Sequence, residues 1–184
     1  MTVNPGHYGQ KMPKWITRIE LIDEEYLGYW ESKPENRTVK WSDDAVATIN
    51  SRIDAPVSIW DDVKDPGNGG VMVTLQRIGG REGDTFTIHG IAMAGERSVQ
   101  RLEISTDGGI NWTEAHIMTS SAPNVWSRWS YEWLLPASGR YEIVARATDN
   151  VGVRQPPEDK GNDLYDGRTG WHRVPVNVSR SGGV

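Results

Sequence analysis

From residue 71 onward, apolar and polar positions alternate in short runs broken by Gly, Pro, Asp and Asn. That is the pattern of half-buried strands joined by tight turns. Seven runs fit it: residues 71–76, 85–94, 99–106, 111–119, 125–134, 140–148 and 171–178. Between the third and fourth, Asp107-Gly108-Gly109 supplies the positive-φ residues a hairpin needs, and Trp112 opens the return strand. Trp129 and Trp133 share one parity along their run and Trp126 takes the other, so the three indoles face two different surfaces. No stretch holds a helical period and no segment repeats. Seven short strands with Gly/Asp/Pro turns predict a mainly β fold, a β-sandwich.

Upstream the pattern is weaker. Residues 14–22 alternate, with Trp15, Thr17, Ile19 and Leu21 on one face, and read as a strand pairing with 26–30 across an acidic turn. Two strands make no independent core, so this unit needs a surface to pack on. Residues 32–70 are polar and irregular, with a covering segment at 52–60 that holds one short strand and a strong turn at 65–70. A second long polar loop spans 157–170.

Composition narrows the function. Nine tryptophans and six tyrosines against one phenylalanine give a core of amphipathic rings, whose N–H and O–H groups favour edges and interfaces. A net charge of −5 without clustered Lys and Arg argues against nucleic-acid binding. No apolar run is long enough to span a membrane, and no leader-like order opens the chain. The absence of cysteine excludes disulfides, thiolate metal sites and a thiol nucleophile, and leaves the compartment open between periplasm and cytoplasm.

The remaining chemistry reads blandly. His7, His89, His116 and His172 lack metal-ligand spacing. Asp43-Asp44 and Asp61-Asp62 lack a calcium-loop register, and the glycine-rich 79–84 turn lacks a helix and a Lys-Ser/Thr for phosphate. Ser105 belongs to a hairpin with no histidine near it in sequence, so no catalytic residue and no metal ligand is assigned.

Two strings carry a resemblance. One is Val99 to Trp112, followed by Arg146-Ala147-Thr148-Asp149-Asn150-Val151-Gly152-Val153-Arg154-Gln155-Pro156 and Trp171-His172-Arg173-Val174. The other is Pro5-Gly6, Gly9 and Pro13-Lys14-Trp15, continued by residues 26–32 and 51–56. In this order they resemble the C-terminal part of sulfite oxidase family molybdopterin oxidoreductases, in the style of bacterial members. The resemblance implies two parts. Residues 1–69 would be the end of the α+β molybdenum-cofactor domain plus a linker, and 70–184 the Ig-like dimerisation domain.

It further implies that Lys14 contacts the pterin phosphate, with Met12 and Pro13 in the preceding cofactor-contact positions. An ammonium beside turn amides suits a dianion. Arg168 is the substitute for the family's anion-binding arginine, although Leu164 is the ungapped match and no tyrosine stands near Glu35 where sulfite oxidisers carry one. The parent cofactor would be molybdopterin. Without the molybdenum-ligating cysteine this chain is expected to be inactive and to bind no cofactor alone. A start at Met1 just upstream of Pro5-Gly6 is expected to mark a fragment or one piece of a split enzyme. The expected role is to close the cofactor pocket and mediate association, as a homodimer or with a cysteine-containing cofactor-domain subunit. The alternative is a non-catalytic β-sandwich interaction module.

Overall fold

The computed structural model describes residues 5–7, 9, 12–24, 26, 46–56, 59–64, 71–74, 76–119, 122–158 and 169–179. These form strands β1 Asn50–Ala55, β2 Ile59–Lys64, β3 Val71–Thr74, β4 Gln76–Gly79, β5 Thr85–Met93, β6 Val99–Ser105, β7 Thr113–Glu114, β8 His116–Ile117, β9 Ser127–Leu134, β10 Gly139–Asp149 and β11 His172–Ser179. No α-helix occurs among the described residues, and so no helix there is long and apolar enough to cross a membrane. A four-stranded sheet in the order β1-β5-β9-β8 faces a five-stranded sheet in the order β4-β11-β10-β6-β7, while β2 and β3 pair separately. This is the β-sandwich expected from the alternation, and the immunoglobulin-like fold that the resemblance implies.

Parity builds the core. Leu102 and Ile104 of β6, Ile143, Ala145 and Ala147 of β10, and Val174, Val176 and Val178 of β11 point inward from one sheet. Ile88 and Ala92 of β5 and Trp129 and Trp133 of β9 meet them from the other. Trp133 packs edge-on to Tyr141 across the two sheets at 5.7 Å. Trp126, of opposite parity, is 47% exposed.

Long-range pairing overrides three local expectations. The 71–76 run splits into β3 and β4, which join different sheets. The 111–119 run also splits: β7 pairs with β6 and β8 with β9. The chain changes sheets at buried Ala115, whose N–H donates to the Leu102 carbonyl at 2.9 Å. Residues 50–55, expected within an irregular covering region, are a true strand. β1 pairs with β5, with Ile53 opposite Gly90.

The expected strand at 14–22 does not form: residues 12–24 join no ladder. Alternation fits a residue to a half-buried strand but cannot supply a partner. Most of the proposed partner, 27–30, lies outside the described residues.

Candidate functional site

The residues of the first string converge on β6, β10, β11 and the loops at their ends. The hairpin turn is held by Asp107. Its carboxylate accepts from the Ile110 N–H, the Asn111 N–H, the Asn111 amide and the Ser105 hydroxyl. Gly108 and Gly109 take φ of 78° and 97°, the left-handed conformation that turn requires. The Ser105 and Asn111 hydrogen bonds hold the Asp107 carboxyl at about 2. A depressed pKa means the charged turn contributes above the ordinary carboxylate range and its contribution is lost as pH falls through the folded value. An NMR titration of the Asp107 carboxyl is expected to show a midpoint near 2, and Ser105→Ala is expected to move it upward.

On the outer face of the five-stranded sheet, Arg146 makes a bidentate pair with Glu103 directly across β6, at 2.9 and 3.0 Å. The hydrogen bond from Arg146 holds the Glu103 carboxyl below its usual range, against the opposing effect of burial. The guanidinium lies 3.8 Å from the Trp112 ring centre and 5.5 Å from that of Trp171. The two indoles meet edge-to-face at 4.8 Å. Arg173 donates to Glu142 at 2.8 Å and to the Gly108 carbonyl at 3.2 Å, tying β11 to the turn.

Inside the sandwich, Gln155 joins three segments. Its Oε1 accepts from the Ser51 hydroxyl at 2.7 Å and from the Ala147 N–H at 3.2 Å, and its Nε2 donates to the Gly170 carbonyl at 2.8 Å. Nδ1 of His172 accepts the Ile53 N–H at 2.9 Å, covering the open edge of β1. Buried Asp149 accepts from Val151 and Val153 N–H groups through Oδ1, and its Oδ2 pairs with Arg97. These polar groups are committed to one another. The motif is a framework of sheet-to-sheet bonds, with no nucleophile and base aimed at a shared space.

The second string forms an arm. Its root is docked: the Ala47 N–H donates to the Gly6 carbonyl at 2.7 Å, and His7 bridges to Val46. Met12 donates its N–H to the Gly9 carbonyl at 3.1 Å, and Pro13 has no N–H to give. Lys14 is exposed, and the apolar face behind it is uncovered, with Trp15 87% and Leu21 99% exposed. Arg168 lies outside the described residues.

Holding a molybdenum cofactor needs a thiolate and a cradle of donors. This chain has no cysteine, and among the described residues no three His, Asp or Glu side chains cluster as metal ligands. Among the described residues the arm offers one ammonium, that of Lys14. These residues do not by themselves fit the group.

Residues 68–179 match the family described as the Mo-co oxidoreductase dimerisation domain. The sulfite oxidase of Arabidopsis thaliana is 26% identical over 97% of this chain and 47% of its own length. The mitochondrial sulfite oxidase of Mus musculus is 27% identical over 96% of this chain and 32% of its own length. An NADH nitrate reductase of Hordeum vulgare is 28% identical over 96% and 20%, respectively. The chain thus spans less than half the length of these relatives. Among solved structures, the sulfane dehydrogenase SoxCD of Paracoccus pantotrophus aligns over 73% of this chain and 33% of its own, at 22% identity and a TM-score of 0.49. The chain belongs to the Mo-co oxidoreductase dimerisation domain family.

Proposed function

We propose that this portion works inside an assembled oxidoreductase in two ways. The sandwich associates as a homodimer. The arm packs into a cysteine-bearing cofactor domain, carried by the same polypeptide or by a partner. Residues 1–69 are then the end of that domain and a linker, and the sandwich follows. Lys14 meets the pterin phosphate beside Met12 and Pro13, and Arg168 stands on the substrate side of the same pocket.

One observation carries this reading. The arm is rooted on the sandwich at Ala47, yet it presents Trp15, Ile19 and Leu21 to solvent on the same short stretch as Lys14. A segment with uncovered apolar side chains gains most by packing them against a partner surface.

The test is molybdenum analysis of the native assembly, with the wild-type chain and Lys14→Glu compared. The wild-type assembly is expected to contain molybdenum and a cysteine-bearing cofactor domain. Lys14→Glu is expected to weaken cofactor retention about tenfold or more, the loss of one charge-assisted contact, and to leave sandwich stability unchanged. The chain purified alone is expected to hold no molybdenum. A native assembly without molybdenum, or a Lys14→Glu variant with undiminished content, would favour the non-catalytic interaction module instead.

A further inference from the structure

The outer faces of both sheets carry charged side chains, some paired and some not. On the five-stranded sheet, Arg146 and Arg101 pair with Glu103, and Arg173 pairs with Glu142. The four-stranded sheet pairs Arg52 with Asp54 on β1. Its strand β9 turns Arg128, Ser130, Glu132 and Leu134 outward, and Trp126 just before it continues that parity. Arg128 makes no ion pair with any described residue. Glu132 accepts from the Thr87 hydroxyl at 3.0 and 3.2 Å and has no cation beside it among the described residues.

These positions are arranged about Ser130. Two residues to either side stand charges of opposite sign, Arg128 and Glu132. Four residues to either side stand uncovered apolar side chains, Trp126 at 47% and Leu134 at 66% exposure. A two-fold axis lying in the contact plane, across the strands and over Ser130, reverses the strand direction of a second copy. Arg128 then faces the partner's Glu132, and Trp126 faces the partner's Leu134. Each contact occurs twice, as an isologous interface demands. Neighbouring strands conform. His89 of β5 and His116 of β8 both stand in register with Ser130 and therefore lie along the axis.

We infer that the outer face of the β1-β5-β9-β8 sheet is the homodimer face, with two copies packed sheet to sheet in antiparallel sense about Ser130. This rests on the homodimer reading above and adds the surface and the symmetry. Unmatched opposite charges flanked by apolar anchors suit a partner with the same pattern inverted, and this chain is that partner.

Sedimentation velocity on the purified 184-residue chain tests the inference. The wild type is expected to dimerise. Arg128→Glu and Glu132→Arg are each expected to weaken the dimer at least about tenfold, by placing like charges across the axis twice. Both positions are exposed, and an unchanged far-ultraviolet circular dichroism spectrum checks that each variant folds. Mixing the two single variants is expected to re-form opposite charges across the axis and restore a heterodimer. The double variant R128E/E132R is expected to restore the homodimer. Single variants that dimerise like the wild type, or a mixture that stays monomeric, would overturn the assigned face while leaving dimerisation intact. A wild-type chain that is monomeric even at about 100 µM, well above the Kd of a specific complex, would overturn the homodimer reading itself.

Discussion

Replacing Trp129 with alanine is expected to cost about 4 kcal/mol of stability, the usual consequence of emptying a buried tryptophan site. In a domain of this size that lowers Tm by roughly 10 °C. Trp129 is 1% exposed and sits at the centre of the four-stranded sheet, directly across from Gly90 of β5. That glycine is part of the same construction. A Cβ at Gly90 would strike the Arg52 carbonyl oxygen and would stand 2.7 and 2.9 Å from two atoms of the indole. The ring fills the space a side chain would occupy, and β1 and β9 close over it from both sides. Neighbouring backbone cannot collapse into the gap left by alanine without breaking the β1-β5-β9 ladders, so most of the cavity should persist. The Trp129 N–H has no partner among the described residues, so the loss comes from packing and not from a broken hydrogen bond. Trp129→Phe keeps part of the ring volume and removes that unmatched N–H, and is expected to lose only about 1–2 kcal/mol. Trp126→Ala, on the exposed parity, is expected to stay within about 0.5 kcal/mol of wild type. Thermal unfolding of the three variants decides the ordering. Equal losses at 126 and 129 would mean that the parity assignment is wrong.

That parity was legible from the sequence because it depends only on spacing within one strand. So was the 107–109 turn, whose glycines and Asp107 act within a few residues. What failed was information held elsewhere in the chain. β1 looked like part of an irregular cover because its ladder partner, β5, begins thirty residues after it ends. The 111–119 run looked like one strand because nothing local marks Ala115 as the point where the Leu102 carbonyl draws the chain across to the other sheet. The 14–22 alternation predicts a strand that does not form, because alternation alone supplies no ladder partner.

The candidate site divides in the same way. Lys14 and its neighbours are recognisable only through resemblance, since an exposed lysine on an arm carries no geometric signature. The framework residues were visible as a motif, yet their roles were not. Arg146 and Glu103 are 43 residues apart, and His172 and Ile53 are 119 apart. Sequence order gives no hint that a histidine side chain takes up an edge N–H of the opposite sheet. The motif therefore marks what holds the sandwich to its edge strand, and through that strand to the arm.

Gln155 tests that last link. Gln155→Leu is expected to cost about 4 kcal/mol, because it leaves the Ser51 hydroxyl, the Ala147 N–H and the Gly170 carbonyl buried without the partners they have now, at about 1–3 kcal/mol each before relaxation. Gln155→Glu separates the hydrogen-bond explanation from one of shape. A protonated carboxyl offers one acceptor oxygen to Ser51 and Ala147 and one O–H to Gly170, much as the amide does. An ionised one aims a second acceptor at the Gly170 carbonyl and buries a charge. Burial raises the folded-state pKa of such a group above its unfolded value of about 4.3. Its favourable form is then fully present below the unfolded value and is lost as pH rises through the folded one. The stability gap between Gln155→Glu and wild type, compared at the same pH, is therefore expected to narrow at about pH 4.5 and to widen at about pH 7.5. The gap for Gln155→Leu should not move. Amide exchange locates the damage. In both variants at neutral pH, protection should fall first along β1, from Ser51 toward Ala47 where the arm is rooted, before it falls along β10. A Gln155→Glu gap independent of pH would show that the site needs the side chain's volume and not its donor and acceptor. Uniform loss of protection would show that β1 and the arm root are not held through this residue.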